Sequence, residues 1–390
     1  MKQEFKRFIS RPLIYVLLAG CMIVNGWILL NHINERAIVL AAAGLLEEWE
    51  NEGNVGNTDK AVYVTEQNLQ AIKSHLEKNM PDASLQENAD VSLENLLKGT
   101  VVMAGTVTPE DLASGFIESA GLFGGAAAKA SEICGSLSGL FEKIKESGIA
   151  NRFFVPCHMG FFDMFCRELF PALAFEGILL CVLLMLKAAN DTFTAKTVLV
   201  VFATKQGRKN QWSCFAGAMA GCALMLAVLW GLTLGAAAVC YPIGNLWNTP
   251  LGSCMILSQL FPVVARFPMT VLGYMAAEFF VALLLGLLFA AAAFGLSELW
   301  HNSFKVFIVM VFAGMVLALV PSFAKGSKAW FVLNYNPVNL AGNAGFWFAS
   351  GKAWVAPAHY ELITFLVWGL LAAILVFFMT RRFYKEDILS

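Results

Sequence analysis

Long apolar runs separated by short polar tips dominate the chain. Pro12 to Leu30 holds nineteen residues without a charge, behind a basic stretch carrying Lys2, Lys6, Arg7 and Arg11. An apolar run of about 20 residues spans a bilayer, and a positive flank marks its cytoplasmic side. A cleaved signal peptide is the competing reading. The run is longer than a signal h-region, however, and meets Asn31-His32 instead of a small-residue cleavage site. Five further apolar runs follow at Leu169–Ala189, Trp212–Tyr241, Met269–Leu296, Phe304–Val320 and Ile363–Thr380. The pattern predicts an all-α polytopic membrane protein with six transmembrane helices and a helical extracytoplasmic domain between the first and second.

That domain occupies residues 31–168. It follows a cytoplasmic N-terminus at 1–11 and the first span at 12–30, and it precedes the remaining membrane unit at 169–390. Its signals are helical: Thr65 precedes Glu66-Gln67 and the periodic LQAIKSHLEK. Thr108-Pro109-Glu110-Asp111 then supplies an N-cap, a first-turn proline and first-turn acids. No alternating strand pattern stands out. The stretch Gly121 to Ala130 is small and flexible, which predicts an elongated, imperfectly packed bundle.

The other connections differ in character. Pro250, Gly252, Pro262 and Pro268 break the stretch Pro242–Pro268, which reads as an outer-surface segment. Ser297–Ser303 reads as a tight inner turn. Ser322–Tyr360, with Phe346, Trp347, Phe348 and Trp354, suits an interface-lying segment at the outer face. Two carboxylates fall inside spans, Glu176 and Glu278; Glu176, near the outer boundary, is expected to snorkel to water. Gly217-x-x-x-Gly221 and Gly231-x-x-x-Gly235 give the third span small faces for helix or dimer packing.

Residues 190–211 stand apart, as a polar-tipped segment pinned between the second and third spans. Asn190 and Asp191 are candidate caps for a short helix in the membrane surface, with Phe193, Val198, Leu199, Val201 and Phe202 as its apolar set. Thr204, Lys205, Gln206, Gly207, Arg208 and Lys209 then turn the chain back. Gly207 is available for a positive φ, and three cations face the aqueous side.

Composition sharpens this picture. With 58% apolar and 14% charged side chains and a mean hydropathy of +0.64, the chain exceeds what one soluble core accommodates. A net charge of −1 hides a division. Asn31 to Cys166 carries 19 acids against 9 bases, and the rest of the chain carries 9 acids against 18 bases. An acidic domain is therefore joined to a basic membrane unit. Thirteen cations fall in the inner short segments and only Arg266, Lys325, Lys328 and Lys352 in the outer short loops. Six spans with both termini in the cytoplasm satisfy the positive-inside rule. The bases flank apolar spans instead of forming a patch with interleaved aromatics, so no nucleic-acid partner is expected.

Candidate chemistry is sparse. The chain has no G-x-x-x-x-G-K-[ST], HExxH or GxSxG, so no catalytic residue and no nucleotide site of its own are expected. Cys157-His158-Met159 with Asp163 and Cys166 is the best set of metal-ligating types. On a helix Cys157 and Cys166 would point to opposite sides about 13 Å apart, which excludes a shared ion and a mutual disulfide. Cys134 could pair with either. No metal site is expected.

Taken together, the layout resembles the permease subunit of a type-2 ABC exporter. The likeness is sharpest at Val200-Val201-Phe202-Ala203-Thr204-Lys205-Gln206-Gly207-Arg208-Lys209, and extends to Tyr241-Pro242 through Gly252, Pro268–Tyr274, Leu296–Leu299 and Asn302-Ser303-Phe304. The resemblance implies that Thr204 to Lys209 form the contact for a separate ABC ATP-binding subunit, which would carry ATP and Mg. It also implies a second permease chain, identical or different, and alternating access in a bacterial plasma membrane. The rival reading is a non-transporting sensor or assembly factor that binds through its extracytoplasmic domain.

Overall fold

The computed structural model describes residues 12–33, 62–63, 74, 108–147, 152–153, 164–197, 200, 210–241, 247–248, 250–251, 263–351, 354–357 and 359–385. Eleven α-helices and four very short strands appear among them. They are α1 (Pro12–Asn31), β1 (Val62–Tyr63), α2 (Pro109–Ala120), α3 (Gly124–Gly135), α4 (Ser138–Ser147) and β2 (Arg152–Phe153). A π-helical turn, Phe165–Leu169, leads into α5 (Phe170–Thr194). There follow α6 (Asn210–Cys240), β3 (Val263–Ala265), α7 (Val271–Trp300), α8 (Ser303–Leu319), α9 (Ala329–Leu333), α10 (Pro337–Gly342), β4 (Ala349–Gly351) and α11 (Tyr360–Lys385).

Six of these helices are long and apolar enough to cross a membrane. Their spanning windows are Ile14–Asn31, Phe165–Thr194, Gln211–Cys240, Val271–Trp300, Ser303–Ala324 and Tyr360–Tyr384. The chain is a helical multi-pass membrane protein, with the six spans where the apolar runs predict them. Their burial sorts them into layers. The second span is 61% buried, whereas the first, fifth and sixth are buried over only 11–17% of their windows. The latter three turn broad apolar faces outward, as helices bordering lipid do.

At the centre α5 packs most extensively on α7, and α7 in turn on α11. Close approach is possible there because Gly177 and Gly286 lack side chains. A Cβ on Gly286 would stand 2.8 Å from Leu226 Cδ1 and 3.1 Å from Cys181 Sγ. The small faces of the third span divide in use. Gly217 and Gly221 are buried, while Gly231 and Gly235 are exposed with nothing within 4 Å of a Cβ.

The expected cap at Thr108–Asp111 is present at the start of α2. Asp111 N donates to Thr108 Oγ1 at 3.2 Å, and Thr108 N donates to Asp111 Oδ2 at 2.9 Å. These are the two reciprocal bonds of a capping box. The Gly121–Ala130 stretch corrects its expectation: its small residues open helix α3 and let it approach another backbone. Phe123 N donates to Lys325 O at 3.1 Å and Gly125 N to Gly326 O at 2.9 Å. Phe116 of α2 meets Trp330 and Trp354 edge-on at 5.9 and 6.4 Å between ring centres. Helices α2 and α3 therefore rest on the connection between the fifth and sixth spans. The periodic LQAIKSHLEK lies outside the described residues.

Two further expectations are corrected. Helix α7 runs on to Trp300, so the turn to α8 is only His301-Asn302. His301 takes a left-handed φ of 48°, and Asn302 caps α8 by accepting from Phe304 N and Lys305 N. Of the aromatic group in Ser322–Tyr360, Trp347 and Trp354 are buried in the fold instead of forming an exposed aromatic face. Trp347 is 1% exposed and donates its indole N–H to Leu340 O at 2.8 Å, so ring and polar atom are both satisfied inside the fold. Strand β4 pairs antiparallel with β3, Val264 opposite Ser350, which ties this connection to the one before the fourth span.

Candidate coupling interface

Residues 190–211 leave α5 and enter α6 at one end of the bundle, which α7, α8 and α11 share. The expected surface helix does not begin at Asn190. Helix α5 continues to Thr194, Ala195 N bonds Asp191 O at 2.9 Å, and the chain turns at Lys196 with φ 55°. Asn190 is buried, and its amide donates to Leu186 O at 3.0 Å and to Ser297 Oγ of α7 at 3.1 Å. An asparagine already inside a helix with a polar neighbour across the groove bonds there instead of capping. Asp191 pairs with Lys187 one turn back at 3.6 Å. Phe193, expected on the surface helix, belongs to the last turn of the second span.

Thr204, Lys205, Gln206, Gly207, Arg208 and Lys209 lie outside the described residues, as do Val198, Leu199, Val201 and Phe202. What the structure gives is the frame that holds both ends of the segment. Ser303 Oγ donates to Leu186 O at 3.1 Å, and Cys214 Sγ of α6 approaches Ala188 O at 3.3 Å. Phe193 and His301 stack at 4.0 Å with 6° between ring planes, and Phe383 of α11 closes edge-on against both at 6.3 and 5.5 Å. Two helix ends and one interhelical turn thus form a small plate beside the start of the segment. Lys196, Lys305, Arg381 and Arg382 are exposed at this end. Arg381 lies over the Phe377 ring at 4.4 Å.

The opposite end holds polar groups that sequence reasoning left apart. Arg266 and Glu361, 95 residues distant in sequence, form an ion pair whose side chains are 7% and 6% exposed. Arg266 also donates to Pro357 O at 3.0 Å, and Glu361 Oε1 accepts from Phe348 N at 2.9 Å. The only sequence signal was an arginine in an outer loop and an acid at the start of the last span. Glu278 is fully buried and accepts from Gly345 N at 3.2 Å; Tyr274 donates to Gly345 O at 2.6 Å. Gly345 has φ 83°, and a Cβ there would stand 1.9 Å from Cys166 O. Glycine is the residue that fits both the left-handed backbone and the contact.

Glu176 corrects its expectation. It is half-buried and turned inward, where Oε2 accepts from Asn25 Nδ2 at 2.9 Å, so it does not snorkel. Cys157, His158, Met159 and Asp163 lie outside the described residues. Among the described residues no group of three metal-ligating side chains occurs; Cys134 is a free, buried thiol, and Cys166 is buried. Burial pushes the Cys134 thiol up to about 11. An apolar groove of about 560 Å³ runs between α6, α7 and α11 from Trp212 to Phe365. A smaller one of about 190 Å³ lies between α7, α8 and α11.

Compared with known proteins, the chain matches no family model, no curated protein and no solved structure.

Proposed function

We propose that the chain is the membrane-spanning permease subunit of an ATP-driven exporter of the type-2 ABC kind. It sits in a bacterial plasma membrane with both termini in the cytoplasm. A separate ATP-binding subunit grips Thr204, Lys205, Gln206, Gly207, Arg208 and Lys209, and a second permease chain completes the path. ATP and Mg are bound by the partner, and no catalytic residue is assigned here. Closing of the ATPase tilts the second and third spans, shutting the inner gate and opening the outer one.

The observation that carries this reading is the Phe193–His301–Phe383 plate. A segment that only set topology would need no tie to the fourth-to-fifth turn and the end of the sixth span. Here, displacement of residues 195–211 pulls directly on Phe193, and Phe193 touches both. Interlocking aromatic packing resists sliding and transmits it, because close-packed interiors have little free volume to absorb a shift.

The test is co-purification from the native membrane. A nucleotide-binding subunit is expected to accompany the wild-type chain and to be lost with Gly207→Pro or Arg208→Glu. A native complex shown to survive solubilisation and yet to contain no ATPase would sink the reading.

A second reading, a sensor or assembly factor acting through the domain at 31–168, draws on one observation. Helices α2 and α3 are seated on residues 325–330, so an event in the domain reaches the fifth and sixth spans directly. Its mark would be full function in the absence of any ATPase.

A further inference from the structure

Three spans bring polar side chains together inside the bundle: Asn25 from α1, Glu176 from α5 and Thr233 from α6. Asn25 and Thr233 are fully buried and Glu176 half-buried. Glu176 lies six residues past Phe170, about 9 Å along the helix, so the cluster is at hydrocarbon depth.

Its hydrogen bonds can be counted. An amide has two N–H donors, and Asn25 spends them on Glu176 Oε2 at 2.9 Å and Thr233 Oγ1 at 3.1 Å. The Thr233 hydroxyl turns toward Met22 Sδ at 3.8 Å. Two enclosed oxygens remain without a partner, Asn25 Oδ1 and Glu176 Oε1. Both belong to the two residues already joined, and both are acceptors if the carboxyl is ionised. Leaving two buried acceptors unsatisfied is costly.

One hydrogen resolves both. Placed on Glu176 Oε1 and directed at Asn25 Oδ1, it adds an O–H···O bond beside the existing N–H···O bond and closes a cyclic acid–amide pair. We propose that Glu176 and Asn25 form a proton-binding site within the membrane. Proton bound, the pair is neutral and fastens the lipid-facing first span to the second and third. Proton released, it leaves a carboxylate that no cation pairs with among the described residues. The titratable neighbours are few. Cys21 faces Glu176 from α1, and the His32–Glu168 pair at 3.1 Å lies about two turns nearer the end. Helix α6 contributes only the neutral Thr233. The site is independent of the exporter reading and requires no ATPase.

Infrared spectroscopy of the purified full chain in lipid nanodiscs at neutral pH tests this. Glu176→Gln keeps the amide pairing with Asn25 and should fold. It is expected to remove one protonated-carboxyl carbonyl band that wild type shows. Asn25→Leu keeps the carboxyl and is expected to shift that band, because its hydrogen bonds are lost. Both variants retaining the wild-type carbonyl region would overturn the proposal, since Glu176 would then be an ionised carboxylate. A carboxylate band that responds to sodium in place of pH would overturn it too, assigning the site to an alkali cation. Should Glu176→Gln fail to fold, Asn25→Leu decides: a protonated-carboxyl band displaced from its wild-type position supports the site, and an unchanged carbonyl region rejects it.

Discussion

Phe193 lies flat against His301, ring centres 4.0 Å apart and planes within 6° of parallel, although 108 residues separate them. His301 is held in that plane: its Nδ1 lies 3.0 Å from Ser297 O and its backbone occupies the left-handed region at φ 48°. The stack joins the last turn before residues 195–211 to a fixed interhelical corner. Under the exporter reading it is where force passes from the segment into the fourth and fifth spans.

Phe193→Ala should therefore separate assembly from work. The partner ATPase should still co-purify, because Thr204 to Lys209 are untouched. Substrate-linked transport should fall at least tenfold, and Phe193→Tyr should restore most of it by keeping the ring. Parallel measurements of ATPase recovery and transport in vesicles check this. Equal loss of both would mean that Phe193 supports folding only.

Arg266 and Glu361 make a buried pair, and breaking one side leaves the other charge uncompensated. Arg266→Met should destabilise the protein by about 3–5 kcal/mol, whereas Arg266→Met with Glu361→Gln should recover a large part of the loss. Thermal unfolding of the four combinations in detergent gives the coupling. Additive losses would show that the two side chains act separately.

Gly345→Ala should prevent accumulation of folded protein, since the added Cβ falls on a backbone oxygen at 1.9 Å and the backbone is left-handed. Gly231→Ala is the control, as nothing lies within 4 Å of its Cβ. Fluorescence-detected size exclusion distinguishes the two. A well-folded Gly345→Ala would contradict the packing of Cys166 against this turn.

Cys134 is fully buried, and burial holds its thiol near 11, well above its ordinary value. The thiolate is the reactive form, so maleimide labelling of Cys134 should be negligible at pH 7 and remain so to pH 9 in folded protein. It should become complete on denaturation. Because the thiol's value is raised on folding, the folded state favours the protonated thiol. That contribution is fully present below the unfolded value and is lost as pH rises through about 11. Rapid labelling of the native chain at pH 7 would place Cys134 at the surface.

How much of this was legible beforehand follows from which forces are local. The six spans are, because their signal is the length of an apolar run, and Pro12–Leu30 or Met269–Leu296 needs no partner to be recognised. The Thr108–Asp111 cap is local too. Asn190 was misplaced because an asparagine suits a helix start and also a buried bond to Ser297, and only the packing of α5 on α7 decides. Trp347 and Trp354 carry the composition of an interfacial belt, yet the indole acceptor of Trp347 and the ring partners of Trp354 come from folding back onto the bundle. Arg266–Glu361 and Asn25–Glu176 span 95 and 151 residues, and no periodicity announces a pair at that distance. The packing of Phe193 had no sequence signal either, because His301 and Phe383 arrive from other spans.

The seat of α2 and α3 has a consequence for synthesis. Gly125 bonds to Gly326, and Phe116 packs on Trp330, so these early helices find their support roughly 200 residues later in the chain. At about 5–20 residues per second, that is an interval on the order of ten to forty seconds. Throughout it, the face of α2 bearing Phe116 waits on the far side of the bilayer from the decoding ribosome under the topology proposed above. Biogenesis of this protein thus includes a window in which a chaperone for that face, or its absence, decides the yield.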